Sequence, residues 1–405
     1  MRRAFAFVLA GLVALLAPPA NARPPAEPPS ATGARLQGND ERTTLTIELT
    51  GRVQARAFLL ADPARVVVDM GEVTFRLPQN AGREGHGLIG AYRFGLVGPG
   101  ASRVVVDLRQ PATVERADIE TWGDRHRLVV ELARASRETF QRATRQTPVP
   151  AVQVPPSARQ DAPRAERPLI VLDPGHGGID SGAVASDGTV EKAIVLTFAR
   201  TLRQALEETG KVRVAMTRDD DRFVTLSDRV RFAREREAAL FVSIHADSLR
   251  GVTQDVRGAT LYTLSERASD REAEALADRE NRADLAAGVD LANETDEVAD
   301  ILVDLMRRET QMFSIQFARL AVRELGANVR LSRNPHRVGG FRVRRAQDVP
   351  SALLELGFLS SREDVRALNS EEWRRAASDA LVKAIVAFAT RAATPSRATA
   401  GEPNR

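Results

Sequence analysis

Two histidines and two glutamates in this chain have the types and spacing that a hydrolytic metal site needs. His176 lies in a tight glycine turn, Gly175 to Gly178, after the apolar run 168–173; Glu191 opens the helical pattern that follows; His245 ends a second apolar run. Zinc in hydrolases commonly takes three nitrogen or carboxylate ligands and keeps a fourth position for water. His176, Glu191 and His245 are therefore the candidate metal ligands. Glu355 falls within the apolar run 350–358, where an ionised carboxylate is costly to bury without a partner. That placement marks it as the candidate general base.

Taken singly, each residue has a plainer explanation. A lone histidine is usually a surface or hydrogen-bonded core residue, and Glu191 would favour a helix N-terminus through the dipole alone. The glycine turn resembles a phosphate cradle, but it lacks both nucleotide-loop spacings and another loop, not a helix, follows it to residue 190. Glycine on both sides of His176 fits backbone that approaches a metal closely. Asp173 and Asp247 stand near the two histidines as candidate partners that orient an imidazole.

The elements that must position these residues alternate. Strands are expected near 168–173, 211–216, 240–244, 258–263 and 351–356, and helices near 191–209, 225–238 and 371–390. In the first helix Ile194, Phe198, Leu202 and Ala205 share a face, and Gly210 is placed to stop it. Such alternation predicts an α/β domain with a mixed, mainly parallel sheet wrapped by helices, over residues 168–390. Ligands in these folds gather at the carboxyl ends of the strands.

Upstream, residues 35–135 read as a small all-β sandwich. Ala64 to Met70, Ser102 to Leu108 and His126 to Leu132 repeat one pattern, a basic residue followed by a β-branched run and an acid, separated by turn signals. No acid, base or metal constellation occurs there. Residues 136–167 carry prolines 148, 150, 155, 156 and 163 among polar residues and read as an extended linker. Residues 391–405 read as a frayed tail. Residues 1–22 read as a cleaved secretory signal: Arg2 and Arg3, an apolar stretch too short to span a bilayer, then Ala20-Asn21-Ala22. No later stretch is apolar for long enough to span, so no transmembrane segment is expected after cleavage.

Composition narrows the chemistry. With no cysteine, disulfides, thiolate metal sites and cysteine nucleophiles are excluded. A formal charge of +4 in 405 residues, with arginines scattered among acids, does not suggest a nucleic-acid partner.

The stretches around His176, Glu191, His245 and Glu355, in their order and spacing, resemble the zinc-dependent N-acetylmuramoyl-L-alanine amidases, cell-wall hydrolases that act in cell separation. Residues 35–135 resemble the N-terminal targeting domain of envelope-localised members. The resemblance implies Zn2+ as cofactor, peptidoglycan as substrate and partner, and cleavage between N-acetylmuramic acid and the L-alanine of the stem peptide. It also implies a periplasmic location with recruitment to the division septum. Spacing and composition alone do not separate this activity from another zinc hydrolase of wall peptides, or from a silent wall-binding scaffold. His336 belongs to a further family-like stretch and is expected to line the cleft or hold a loop.

Residues 264–310 carry fourteen acids against six arginines, with apolar residues at helical spacing. A solvated helical face accounts for much of that charge. By resemblance this is an inserted regulatory segment that covers the site until a LytM-type divisome activator displaces it. Glu280 is the favoured residue to block the metal, with Glu272, Glu274 and Asp284 close by.

Overall fold

The computed structural model describes residues 28–146 and 167–392, apart from positions 62, 79 and 99 and the stretches 249–255, 266–267, 289–300 and 342–348. The signal at 1–22, most of the linker, part of the insertion and the tail beyond 392 lie outside the described residues.

The first unit is all β. Strands β1 (Ser30–Gly38), β2 (Arg42–Leu49), β3 (Ala55–Leu60), β4 (Arg65–Gly71), β5 (Thr74–Phe75), β6 (Ile89–Gly98), β7 (Ala101–Leu108), β8 (Ala112–Trp122) and β9 (Arg125–Arg134) form two sheets, ordered β5-β1-β2-β9-β8 and β3-β4-β7-β6. Alternation along the strands sends Leu45, Ile47, Val66, Val68, Val104, Val106, Leu128 and Val130 into a shared core, as facing sheets of a sandwich require. The linker begins differently from its expectation. Residues Arg137–Gln146 are helix α1, because Phe140 and Ala143 recur on one face and pack on that core.

The second unit contains β10 (Leu169–Pro174), α2 (Glu191–Glu208), β11 (Arg213–Met216), α3 (Leu226–Glu235), β12 (Leu240–His245), β13 (Ala259–Leu264), α4 (Arg271–Glu280), α5 (Ala283–Ala286), α6 (Ile301–Gly326), β14 (Leu331–Gly339), β15 (Ser351–Glu355), α7 (Arg362–Asn369) and α8 (Glu371–Ala392). The sheet order is β11-β10-β12-β15-β13-β14. The first four strands are parallel, β13 is antiparallel to β15, and β14 is parallel to β13. This is the mixed, mainly parallel sheet that the alternation predicts. Helices α2, α6 and α8 bury Phe198, Phe317 and Phe388 on one face, and α3 buries Leu226 and Ala233 on the other.

Three elements go beyond the sequence expectation. Helix α6 runs unbroken from 301 to 326, so the inserted region merges into a framework helix. Strand β14 and helix α7 had not been expected. His336 is on β14, opposite Leu261, with Nε2 3.0 Å from Thr263 Oγ1. No helix among the described residues is long and apolar enough to cross a membrane.

Candidate metal centre

Strand order brings the site together. β10 and β12 are neighbours, so His176, two residues past the end of β10, meets His245 at the end of β12. Their rings pack edge to face with centroids 5.0 Å apart. Glu191, first residue of α2 and fully buried, reaches between them. One donor atom from each of His176, Glu191 and His245 lies within 4.8 Å of the others. The structure thus gathers the three sequence-derived ligands at one point. Glu355 stands opposite His245 on β15.

Hydrogen bonds fix which ring atom each histidine presents. His176 Nδ1 is 2.8 Å from Asp180 Oδ2, which leaves Nε2 facing Glu191 Oε1 at 3.2 Å. For His245, Ser243 donates its hydroxyl to Asp173 at 2.8 Å, so Ser243 Oγ, 3.2 Å from His245 Nε2, accepts from that ring. This turns Nδ1 toward the site, 3.2 Å from Glu191 Oε1. Both arrangements match the outer partners that orient metal-binding imidazoles. They correct the sequence expectation. Asp180 serves His176, Asp173 reaches His245 only through Ser243, and Asp247 pairs with Arg279 at 2.5 Å.

The glycine turn also works differently from its expectation. His176 itself takes a left-handed conformation, φ 59°, a strained state characteristic of functional loops. Gly175 makes room for the other histidine: a Cβ there would lie 2.3 Å from His245 Cε1. Two buried arginines that sequence reasoning missed hold the turn by its carbonyls. Arg218 donates to Pro174 and Gly175, and Arg229 donates to Pro174, His176 and the carboxylate of Asp173. Arg229 had left a signal, since it falls three residues after Leu226 on the core-facing side of α3.

The electrostatics favour a cation among these atoms. Burial pushes the His176 imidazole down, but the carboxylates of Asp180, Glu191 and Glu280 outweigh it and hold it well above the usual histidine range. Burial likewise raises Glu191, and the two histidines overcome that and hold it well below the usual carboxylate range. His176 Nε2 is buried without a hydrogen-bond partner. A set of two imidazole nitrogens and one carboxylate with this charge balance fits a zinc-class dication.

Glu355 is fully buried. Its Oε2 accepts from the Asp247 N–H at 3.0 Å, whereas Oε1 has no hydrogen-bond partner. Burial, together with Asp247, Glu191 and Glu280, raises it well above the usual carboxylate range, which suits a group that takes and returns a proton near neutrality.

A fifth side chain enters this space. Glu280, at the end of α4, places Oε2 3.2 Å from His245 Nδ1 and 3.7 Å from His176 Nε2. Burial pushes its carboxyl up to about 7 despite the two histidines. Its helix is tied down on both sides: Arg279 donates to Asp247 and to the Ser248 carbonyl, while Arg337 of β14 bonds Asp270 and Glu272. Leu276 and Ala277 pack against Tyr262, Phe341 and Leu353. Glu272 and Glu274 lie in the first turn of α4, and Asp284 accepts from the Leu226 N–H. The structure therefore brings Glu280 alone among these acids against the two histidines.

Residues 170–387 match the family model described as N-acetylmuramoyl-L-alanine amidase. The chain belongs to that amidase family. Residues 33–132 match the AMIN domain model, so this amidase family member carries an AMIN domain ahead of its catalytic domain. It is 32% identical to N-acetylmuramoyl-L-alanine amidase AmiC of Escherichia coli over 88% of each chain. A similar relative is AmiC of Neisseria meningitidis, 32% identical over 88% of this chain and 89% of that protein. The amidase region also aligns with the solved structure of AmiC2 of Nostoc punctiforme, 28% identical, over 56% of this chain and 99% of that one, with a TM-score of 0.38.

Proposed function

We propose that this protein is a zinc-dependent peptidoglycan amidase that cuts the bond between the lactyl group of N-acetylmuramic acid and the L-alanine of the stem peptide, and that it is made in an inhibited state. The observation that carries the reading is the convergence of His176, Glu191 and His245 beside Glu355, with Glu280 lodged against both histidines.

His176, His245 and the carboxylate of Glu191 would hold the ion, and Asp180 and Ser243 would keep each imidazole in the tautomer that presents its free nitrogen. Bound zinc supplies Lewis-acid polarisation of the amide carbonyl and acidifies water. Glu355 accepts the proton of the attacking water at Oε1 and returns one to the departing alanine nitrogen. The Asp247 N–H fixes the other oxygen of Glu355, so the carboxyl cannot rotate away as it changes protonation.

Glu280 denies that space to water and substrate. Displacement of α4 by a LytM-type divisome protein would shift the population toward an open site, as binding to one of two states must. The AMIN domain, by its family, suits recruitment to peptidoglycan at the septum, in the periplasm, after export by the signal at 1–22.

The test is incubation of the mature protein with purified peptidoglycan and zinc, with and without Glu280→Ala, followed by mass spectrometry. Intact stem peptides beginning at L-alanine, more abundant from the variant, are expected. Cuts elsewhere in the peptide, or none by either zinc-loaded protein, would overturn the reading.

A further inference from the structure

The duplicated Arg-Val-Val-Val-Asp motif of the β domain plays no part in the chemistry above, yet the fold pairs its two copies. In β4 and β7, antiparallel neighbours, Val67 faces Val105, Arg65 faces Asp107 and Asp69 faces Arg103. Side chains alternate across a strand, so while Val66, Val68, Val104 and Val106 fill the sandwich core, Val67 and Val105 project from its outer face. An outer face ordinarily meets water, but these two valines are fully buried.

What covers them is the segment that follows Glu280. Ala287 is buried against Phe58, Val67 and Val105. At Gly288 a Cβ would lie 2.9 Å from Val67 Cγ2. The arginine of each motif copy caps a carbonyl of the same segment: Arg65 donates to Leu285, and Arg103 donates to Ala287 at 2.9 Å while Asp69 holds its other nitrogens. The β domain also meets the metal-ligand loop, since Ile179 joins the same buried cluster, and the loop before α3, whose Phe223 N–H donates to the Leu96 carbonyl at 3.2 Å.

We propose that this outer face is a docking surface for residues 285–288 of the same chain, and that the docking keeps Glu280 in the metal site. The β domain is then part of the inhibition as well as a recruiting module. Leu285 follows Glu280 closely, and the chain between them is already folded into a turn and α5. Fully extended it reaches at most about 17 Å, so withdrawing α4 from the histidines pulls directly on the docked residues. The inference rests on the inhibitory role of Glu280 proposed above.

Two changes in the full chain test it: Arg65→Ala with Arg103→Ala on the β domain, and separately Ala287→Arg on the insertion, which leaves the β domain sequence intact. Both are expected to speed hydrogen exchange at amides 271–288 and to raise basal release of stem peptides about tenfold, a coupling of ordinary allosteric size. Unchanged exchange and release in both folded variants, beside a Glu280→Ala chain that is active, overturns this inference alone. A Glu280→Ala chain with no gain overturns the inhibitory reading beneath it.

Discussion

Glu280 Oε2 lies 3.2 Å from Nδ1 of His245, so one end of a surface helix and the end of a core strand share the space that the ligand set encloses. The contact joins two residues far apart in sequence and sets an acid of the insertion against the candidate metal ligands.

Glu280→Ala should raise peptide release in the absence of any activator by about ten- to a hundredfold, the equivalent of one charge-assisted contact of ~1.5–3 kcal/mol. Arg279→Ala should give a smaller rise, because that side chain is 41% exposed and solvent screens its pair with Asp247. Initial rates on dye-labelled sacculi would rank the two. A larger gain from Arg279→Ala would refute the assignment.

Glu355→Gln keeps an acceptor for the Asp247 N–H but removes the group that moves the proton. Turnover should fall by about 10²- to 10⁴-fold, with bound zinc unchanged by atomic absorption. Parallel loss of zinc and turnover would make Glu355 a holder of the ion instead.

Asp180→Ala frees the His176 ring to change tautomer and orientation. Metal affinity should weaken by about 10- to 100-fold, read by competition with a coloured chelator at constant pH. An unchanged affinity would reduce Asp180 to a loop contact.

Gly175→Ala drives a methyl group into the ring of His245, 2.3 Å from Cε1. Zinc binding should suffer more than in Asp180→Ala, because a ligand must move, and overpacking of this kind costs about 1–3 kcal/mol in stability. Thermal melts of the metal-free protein alongside chelator titrations check both halves.

Stability should fall on the acid side through Asp173. Burial alone would raise its carboxyl, but Arg229, Thr217 and Ser243 overcome that and hold it below the usual range. A depressed folded value stabilises the protein above the unfolded carboxyl's value of about 4, and that contribution disappears as pH drops through the folded value. Asp173→Asn should cost about 3–5 kcal/mol at pH 7, because it strands a buried arginine, and should flatten the acid limb of stability against pH. Urea melts from pH 3 to 7 measure both. An acid limb as steep as the parent's would show that other carboxylates set it.

The inner strands β10, β12, β13 and β15 were legible in the sequence because each, buried on both faces, is a short apolar run between polar turns. His176, His245 and Glu355 were legible because they stand at or just past the ends of those runs, and Glu191 because it opens the helical pattern of α2. Asp180 was harder to see: it serves His176 from within the same loop, and only the turn's left-handed backbone folds it back. Strand β14 carries Arg333, Asn334, Pro335, His336 and Arg337, a polar stretch with no period-two pattern, as befits a sheet edge. Helix α1 was hidden by the proline-rich sequence after it, although Phe140 marks its contact with the β core.

Helix α4 puts Glu280 at its C-terminal end, where the helix dipole repels a carboxylate. The helix dipole by itself therefore does not favour this position for Glu280. Polar contacts hold the helix at its margins: Arg337 at the first turn, Arg279 against Asp247 near the last, and the two β-domain arginines just beyond. The segment stands like an arch, footed on these contacts at either end. An arch falls when either abutment shifts, so under the proposed inhibition a partner would not need to reach the buried glutamate to open the site. It has only to move one footing.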